Sequence, residues 1–376
     1  MVKVLNFYTY KDLYGNTMKL LKPPEVSPKE LFYLIQDLYS KTRLFYLLKS
    51  TIDLGIFEHL EEFKTPKELA KEIGMDEILL ESTLEALSDM MGLLDKKLEN
   101  GNAYYKNSKV AQLYLKKDSE YSYLLPIGDL FKNLEYWRDF GSILKNKKIV
   151  DERDFFSEVV KVMADECKCW ELQKTIEYLL KFEEFRKAKK LLDVGGGHGL
   201  YSIGFTMTNK NLKCYVFDLP KVTKDTENYI RRYNAKNVFT IEGDFYKDDI
   251  GGDYDIVFSS YNPGGRDPLI IEKIYNALRE GGLYINKQCF PSCEDVEDIL
   301  DNMEWNFFEF KNYKKEKLRY SFERSLQFQD YIRFLKDMGF EILDIVNLKD
   351  ILGYEMVKNT RIIVARKLEG KNERGI

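Results

Sequence analysis

Histidine is nearly missing from this sequence: His59 and His198 are the only two in 376 residues. Cysteine is sparse as well, with Cys167, Cys169, Cys214, Cys289 and Cys293. An odd number of thiols in so long a chain does not make a disulfide framework. The close pairs Cys167/Cys169 and Cys289/Cys293 lack the paired spacing of a structural zinc site, and two imidazoles add little, so no metal is expected. No apolar run reaches the length that crosses a bilayer, which argues against a membrane partner. The stretch after Met1 mixes Lys, Tyr and Asp and has no apolar core of a secretion signal, so a cytoplasmic location is expected. Excess charge is missing too. The 58 basic and 62 acidic side chains leave a net charge of −4, which speaks against a general affinity for nucleic acid.

What is present is length enough for two domains and a sizeable core. Residues 1–26 read as a polar arm dotted with aromatics and closed by Pro23-Pro24. Residues 27–115 begin with a helical pattern in which Leu31, Ile35 and Leu38 share a face continued by Phe45, Leu48 and Ile52. Thr65-Pro66-Lys67-Glu68 is a helix start, with Thr as N-cap, Pro at the first position and Glu at the third. A second helix runs from Asp76 to Met91, and a strand pair turns at Asn100-Gly101. This is the outline of a winged helix. Its second helix carries Asp76, Glu77, Glu81, Glu85 and Asp89 with no Lys or Arg, so it would repel phosphates. Packing or dimerisation is the expected role. Residues 116–189 are mostly helical, with Trp137, Phe155-Phe156 and Trp170 as bulky anchors, and residues 370–376 form a polar tail.

From Lys190 to about residue 369 strands alternate with helices, the mark of a mostly parallel sheet covered on both faces. Seven strands are expected, at Lys190–Val194, Leu212–Asp218, Val238–Ile241, Asp255–Ser260, Leu283–Gln288, Glu341–Val346 and Arg361–Arg366. A helix through Ile270 and Leu278 should stop at Gly281-Gly282. Ligands of such sheets bind at the carboxyl ends of the strands, and three of those ends are chemically loaded. The first strand runs through Asp193 into Gly195-Gly196-Gly197-His198-Gly199, a turn that lets the backbone approach a ligand and offers free N–H groups at a helix start. The second ends at Asp218, placed to accept both hydroxyls of an adenosine ribose. After the third come Asp244 and Phe245, a carboxylate and an aromatic face suited to adenine. A nicotinamide fingerprint would want glycine where Leu200 stands.

Asp-Val-Gly-Gly-Gly-His-Gly199, Phe-Asp-Leu-Pro-Lys-Val222 and Glu-Gly-Asp-Phe245 together resemble the class I S-adenosylmethionine-dependent methyltransferases. More narrowly, the chain is similar to the small-molecule O-methyltransferases of the caffeate, hydroxyindole and polyketide type. Asp53-Leu-Gly-Ile-Phe57, Thr65-Pro-Lys-Glu-Leu-Ala70 and Met91-Gly-Leu-Leu94 resemble that family's winged-helix dimerisation domain. The resemblance covers roughly Leu31 to Lys367. It implies an α/β Rossmann-like methyltransferase domain preceded by a mainly helical dimerisation domain, a homodimer, and S-adenosylmethionine as cofactor. It also implies that Gly195, Gly197 and Gly199 cradle the methionine end near Asp193, and that Asp218 holds the ribose. Leu219, Asp244 and Phe245 would meet the adenine, and Ser260 completes the cofactor set. Met163, Tyr261, Asn262, Asn302 and Met303 would line the pocket of a small-molecule acceptor.

The resemblance breaks at one place. Relatives carry a His-Asp-Trp motif after the fourth strand, the histidine being the general base. Here that loop reads Ser259-Ser-Tyr-Asn-Pro-Gly-Gly-Arg266, and the expected base falls on Gly264 or on Ser260 according to register. Tyr261, Asp267 and Glu323 are candidate substitutes. Lys287, where relatives have a glutamate, could lower the acceptor's pKa or pair with a substrate carboxylate or phosphate. An acceptor that needs no base, on carbon, nitrogen or sulfur, is one alternative to O-methylation. A cofactor-binding dimer that regulates or scaffolds without turnover is another. Asn262-Pro263 bears only a distant likeness to the Asn-Pro-Pro-Tyr motif of amino-group methyltransferases.

Overall fold

The structure, a computed structural model, describes residues 23–291 and 298–370. Most of the expected arm, the end of the polar tail and Cys293 lie outside the described residues. The chain divides into two compact units on either side of Ala111–Gln112.

The first unit opens with the helix Lys29–Asp53. Along it Leu31, Phe32, Leu34, Ile35 and Leu38 are all more than half exposed, an apolar surface unlike that of an isolated soluble helix. The helix Pro66–Ile73 starts as its sequence demands: Thr65 accepts a hydrogen bond from the Glu68 N–H while the Glu68 side chain accepts one from the Thr65 N–H. Gly74, at φ +71°, ends it. The Asp76 carboxylate caps the next helix, Glu77–Glu85, by accepting from the Leu79 N–H at 2.8 Å. Strands β1 (Leu94–Glu99) and β2 (Asn102–Asn107) form the antiparallel hairpin turning at Asn100-Gly101. Both turn residues have positive φ, 52° and 80°, which suits a two-residue loop. Leu69, Leu80, Leu84, Leu87 and Tyr105 are buried in this unit.

The strands of the second unit are, in chain order, β3 (Lys148–Val150), β4 (Lys190–Val194), β5 (Lys213–Asp218), β6 (Val238–Glu242), β7 (Tyr254–Ser260), β8 (Leu278–Cys289), β9 (Phe308–Phe310), β10 (Phe340–Asn347) and β11 (Thr360–Lys367). Seven of them form one sheet in the order β10-β11-β8-β7-β4-β5-β6. Every neighbouring pair is parallel except those made by β11, which runs antiparallel to both β8 and β10. The Rossmann-like, mostly parallel sheet therefore stands as expected. Strands buried on both faces read as continuous apolar runs rather than alternating ones, as Leu191-Leu192 and Ile256-Val257-Phe258 do.

Two features differ from expectation. Strands β3 and β9 pair in parallel as a separate two-stranded ribbon, too short for a hydrophobic period to reveal. The helix after β7 spans Pro268–Ala277 and stops before the glycines. Strand β8 starts at Leu278, and Gly281-Gly282 sits inside it, where the pairing with β7 jumps from Tyr254↔Leu278 to Ile256↔Leu283. Gly281 has φ +74°, so the pair of glycines absorbs a bulge and does not cap a helix. Central β4 sends the chain to β5 on one side and has β7 on the other. That divergence opens a crevice beyond the strands' carboxyl ends.

Candidate active site

The glycine turn after β4 is a set of close approaches that only glycine permits. Gly195, at φ +64°, donates from its N–H to the Phe217 carbonyl at 2.8 Å, and a Cβ on it would come within 2.5 Å of Asn262 Nδ2. A Cβ on Gly196 would lie 2.6 Å from Asp193 Cγ, so the turn folds directly over that carboxylate. Gly199 serves packing instead. It stands at the start of the helix Leu200–Thr208, its Cβ position 2.6 Å from Thr226 Cγ2 and off the cleft wall.

The cleft above this turn is lined by Asp193, Gly195, Gly197, Asp218, Leu219, Asp244, Phe245, Ser260, Tyr261, Asn262 and Met163. Eleven positions singled out along the chain are thus brought to one concavity. Asp193 is 1% exposed; its Oδ2 accepts from Ser202 Oγ at 2.7 Å, while Oδ1 has no protein partner. Burial lifts its pKa to about 7, against the pull of that hydrogen bond. Asp218 accepts from the Gly197 N–H (2.8 Å) and the Leu219 N–H (2.7 Å). One face of its carboxylate reaches the cleft, and the surrounding protein still raises its pKa to about 6. Asp244 is fixed by the Tyr246 N–H, Lys247 and the Tyr313 hydroxyl. From Phe245 an aromatic wall continues through Tyr246 (centroids 4.9 Å apart), Tyr313 (5.2 Å) and Phe322 (5.5 Å). An unpaired buried carboxylate oxygen, a turn with no room for Cβ atoms and ring faces beside them fit a nucleoside-bearing cofactor.

The loop after β7 is held by its own side chains. The Asn262 side chain donates to the Val194 carbonyl at 3.2 Å and accepts from the Gly264 N–H at 2.9 Å, while its backbone carbonyl accepts from Gln288 Nε2 at 2.5 Å. Its amide is spent on the loop, although the residue lines the cleft. Pro263–Arg266 form a single 3-10 turn, and Arg266 is completely buried, donating to Tyr320 O, Ser321 Oγ and Leu326 O. Tyr261 carries φ +51°, an unusual conformation for an aromatic residue, held by its N–H donating to Lys287 O at 2.9 Å.

Lys287 is fully buried behind the cleft wall and cannot reach a substrate anion. It ion-pairs with Glu171, donates to Tyr201 Oη at 2.6 Å, and lies 4.5 and 4.3 Å from the ring centroids of Tyr201 and Tyr261. Glu171, Tyr201 and Tyr261 open to the cleft, and Lys287 does not. Glu171 Oε1 also accepts from the Tyr201 hydroxyl at 3.0 Å, and its Oε2 meets the Tyr261 hydroxyl at 3.4 Å. Four other candidates lie off the cleft. Glu323 is ion-paired with Lys314 at 2.6 Å on the surface. Asp267 caps the helix Pro268–Ala277 and pairs with Arg324 at 2.9 Å. Asn302 accepts from the Arg319 N–H at 2.7 Å, and Met303 neighbours it on the helix Asp298–Trp305, away from the cleft lining.

Glu166, Cys167, Glu171, His198 and Tyr201 are lining residues that sequence reasoning did not select. Cys167 follows from helical spacing: on the helix Glu152–Lys168, Phe156, Val160, Met163 and Cys167 share one face toward the cleft. Glu171 had no such signal, since its partner Lys287 stands 116 positions later. His198 is no base. Its Nδ1 accepts from the Leu200 N–H at 3.1 Å, and burial, helped by Lys287 and Lys168, lowers its pKa to about 3.

The O-methyltransferase domain model matches residues 130–292, and the O-methyltransferase dimerisation domain model matches residues 37–117. The chain is 54% identical to an uncharacterised protein of Methanocaldococcus jannaschii, over 89% of this chain and 91% of that one. It is 24% identical to the acetylserotonin O-methyltransferase of Gallus gallus, over 61% of this chain and 72% of that one. The crystal structure of human N-acetylserotonin methyltransferase in complex with S-adenosylmethionine shares its fold, with a TM-score of 0.66 at 15% identity, covering 92% of this chain and 100% of that one. With the dimerisation domain, the Rossmann-like sheet and the glycine turn in place, the chain belongs to the O-methyltransferase family and is an S-adenosylmethionine-dependent methyltransferase.

Proposed function

We propose that this enzyme methylates a small planar acceptor held in the cleft, and that it does so without an imidazole base. When bound, S-adenosylmethionine supplies an electrophilic methyl group on a sulfonium. The Gly195–Gly197 backbone and Asp193 would hold its methionine end, Asp218 its ribose hydroxyls, and Leu219, Asp244 and Phe245 its adenine, with Ser260 beside them. The acceptor takes the remaining space, against Met163, Tyr261 and the Tyr313–Phe322 rings. The protein's contribution there is alignment in a site screened from water.

Proton handling falls to what lines that space. The Tyr261 phenol is pushed well above its ordinary pKa by burial and by Glu171, so it stays protonated and orients rather than abstracts. Lys287 acts through Glu171 as a positioning residue. The acceptor atom is therefore one that needs no strong base. The convergence of Asp193, Gly195, Asp218 and Phe245 on one cleft carries this reading. The exposed apolar face of the helix Lys29–Asp53 in a dimerisation domain supports a homodimer, and we place its work in the cytoplasm.

Calorimetry with S-adenosylmethionine and methyl-labelled transfer assays test the proposal. Binding that Asp218→Ala weakens, and a rate nearly flat with pH through neutrality, are expected. No binding, or binding indifferent to Asp218, would refute it.

A further inference from the structure

The cleft is one-sided in charge. Among the described residues its lining presents the carboxylates of Glu166, Glu171, Asp193, Asp218 and Asp244 and not one lysine or arginine; with Asp193, Asp218 and Asp244 given to the cofactor, Glu166 and Glu171 are left for the acceptor. The basic groups nearby are withdrawn or already paired: Lys168 with Asp165, Lys247 with Asp244, and Arg319 with Asp301 and the Tyr320 ring. His198 is kept neutral by burial and its lysine neighbours. The Lys287 ammonium lies fully buried behind the wall, with Glu171 as counter-ion and the Tyr201 and Tyr261 rings against it. Hydrogen bonding points the same way. Glu171 Oε2 holds only the Tyr261 hydroxyl, at 3.4 Å. The lining offers acceptors and calls for donors. An acceptor's carboxylate or phosphate entering beside Glu171 would lose its water, find no lysine or arginine in the lining and face a like charge, which is a device for excluding wrong partners.

We infer that the methyl acceptor is a neutral or cationic molecule that donates a hydrogen bond to Glu171, and that anionic molecules are excluded. This rests on the methyl-transfer reading above and names the class of its substrate. Aromatic faces beside the carboxylates suit a flat, electron-poor or positively charged ring.

A small-molecule extract of Methanocaldococcus jannaschii, source of the 54% identical relative, is split by ion exchange at pH 7 into cationic, neutral and anionic pools before any reaction. Each pool is incubated with the full-length protein and methyl-labelled S-adenosylmethionine. Label in the cationic and neutral pools exceeding that in the anionic pool by about tenfold is expected. Label chiefly in the anionic pool overturns the acceptor class alone. No label in any pool, with S-adenosylmethionine binding intact by calorimetry, overturns the methyl-transfer reading and this inference with it. Glu171→Gln is expected to slow transfer to the cationic pool by about tenfold while S-adenosylhomocysteine affinity holds within about twofold. Removing Glu171 alone leaves the Lys287 ammonium buried without a counter-ion, so Glu171→Gln with Lys287→Met is run beside it. In that pair the preference for cationic over anionic pools should shrink; an unchanged preference overturns the role given to Glu171.

Discussion

The Asn262 side chain occupies the space that a Cβ on Gly195 would need: that Cβ would stand 2.5 Å from Asn262 Nδ2. Since Asn262 also donates to Val194 O, the loop after β7 is locked to the glycine turn after β4. Gly195→Ala would force both a positive φ and this clash. A stability loss of about 1–3 kcal/mol is expected by thermal denaturation, with weaker S-adenosylhomocysteine binding by calorimetry. An unchanged melting temperature would mean that Asn262 swings aside freely.

Asp218 is the strongest single probe of cofactor binding. Its carboxylate is already oriented by two backbone N–H groups, so its loss removes acceptors held in place before binding. Asp218→Ala should weaken S-adenosylhomocysteine binding by roughly tenfold or more, about 1.4 kcal/mol. Asp218→Asn should fall between the two, because one oxygen remains.

Asp193 links stability to pH. Its folded pKa, raised by burial from 3.8 to about 7, means that the folded state binds the proton more tightly than the unfolded chain. The contribution is fully present below pH 3.8 and is lost as pH rises through about 7. Stability of the cofactor-free protein should therefore fall between pH 5 and pH 8 by something on the order of 1–3 kcal/mol. In Asp193→Asn that slope should flatten. Urea titrations at the two pH values measure it, and equal slopes in both proteins would assign the pH dependence to other groups.

Lys287 and Glu171 should respond unequally to loss of the partner. Glu171 is partly open to the cleft, whereas Lys287 is not exposed at all. Glu171→Gln is expected to destabilise by about 3–5 kcal/mol, and Lys287→Met by less, because the carboxylate left behind can be hydrated. The double variant should recover most of the loss. Chemical denaturation of the three proteins decides it, and additive effects would show that the pair does not act as a unit.

The helix Lys29–Asp53 carries the prediction on assembly. Leu31 and Ile35, 56% and 52% exposed, lie four residues apart on it. Leu31→Asp with Ile35→Asp should turn a dimer into a monomer in sedimentation velocity, with circular dichroism unchanged. A monomeric parent protein would remove the premise.

Local chemistry makes much of this protein legible in its sequence. Thr65 with Glu68, Asn100-Gly101 and Asp193 with its glycines each specify a short piece of backbone through hydrogen bonds and dihedrals among near neighbours. The buried strands announce themselves because both faces are covered. The cofactor end of the cleft follows, since it is built from residues that directly succeed those strands. The acceptor end does not. Glu171 lies in a helix with no motif around it, and its meeting with Lys287 depends on how that helix packs against the helices Glu152–Lys168 and Leu200–Thr208. Sequence reading offered Lys287 to a substrate anion; the fold buries it and spends it on Glu171. It offered Glu323 and Asp267 as bases; packing turns one to the surface and makes the other a helix cap. Near neighbours set conformation, so the sequence by itself brought out the glycine turn and carboxylates of the proposed methyl-donor cradle. Charge and access depend on what long-range packing buries, so only the tertiary structure decided which side chains line the rest of the cleft.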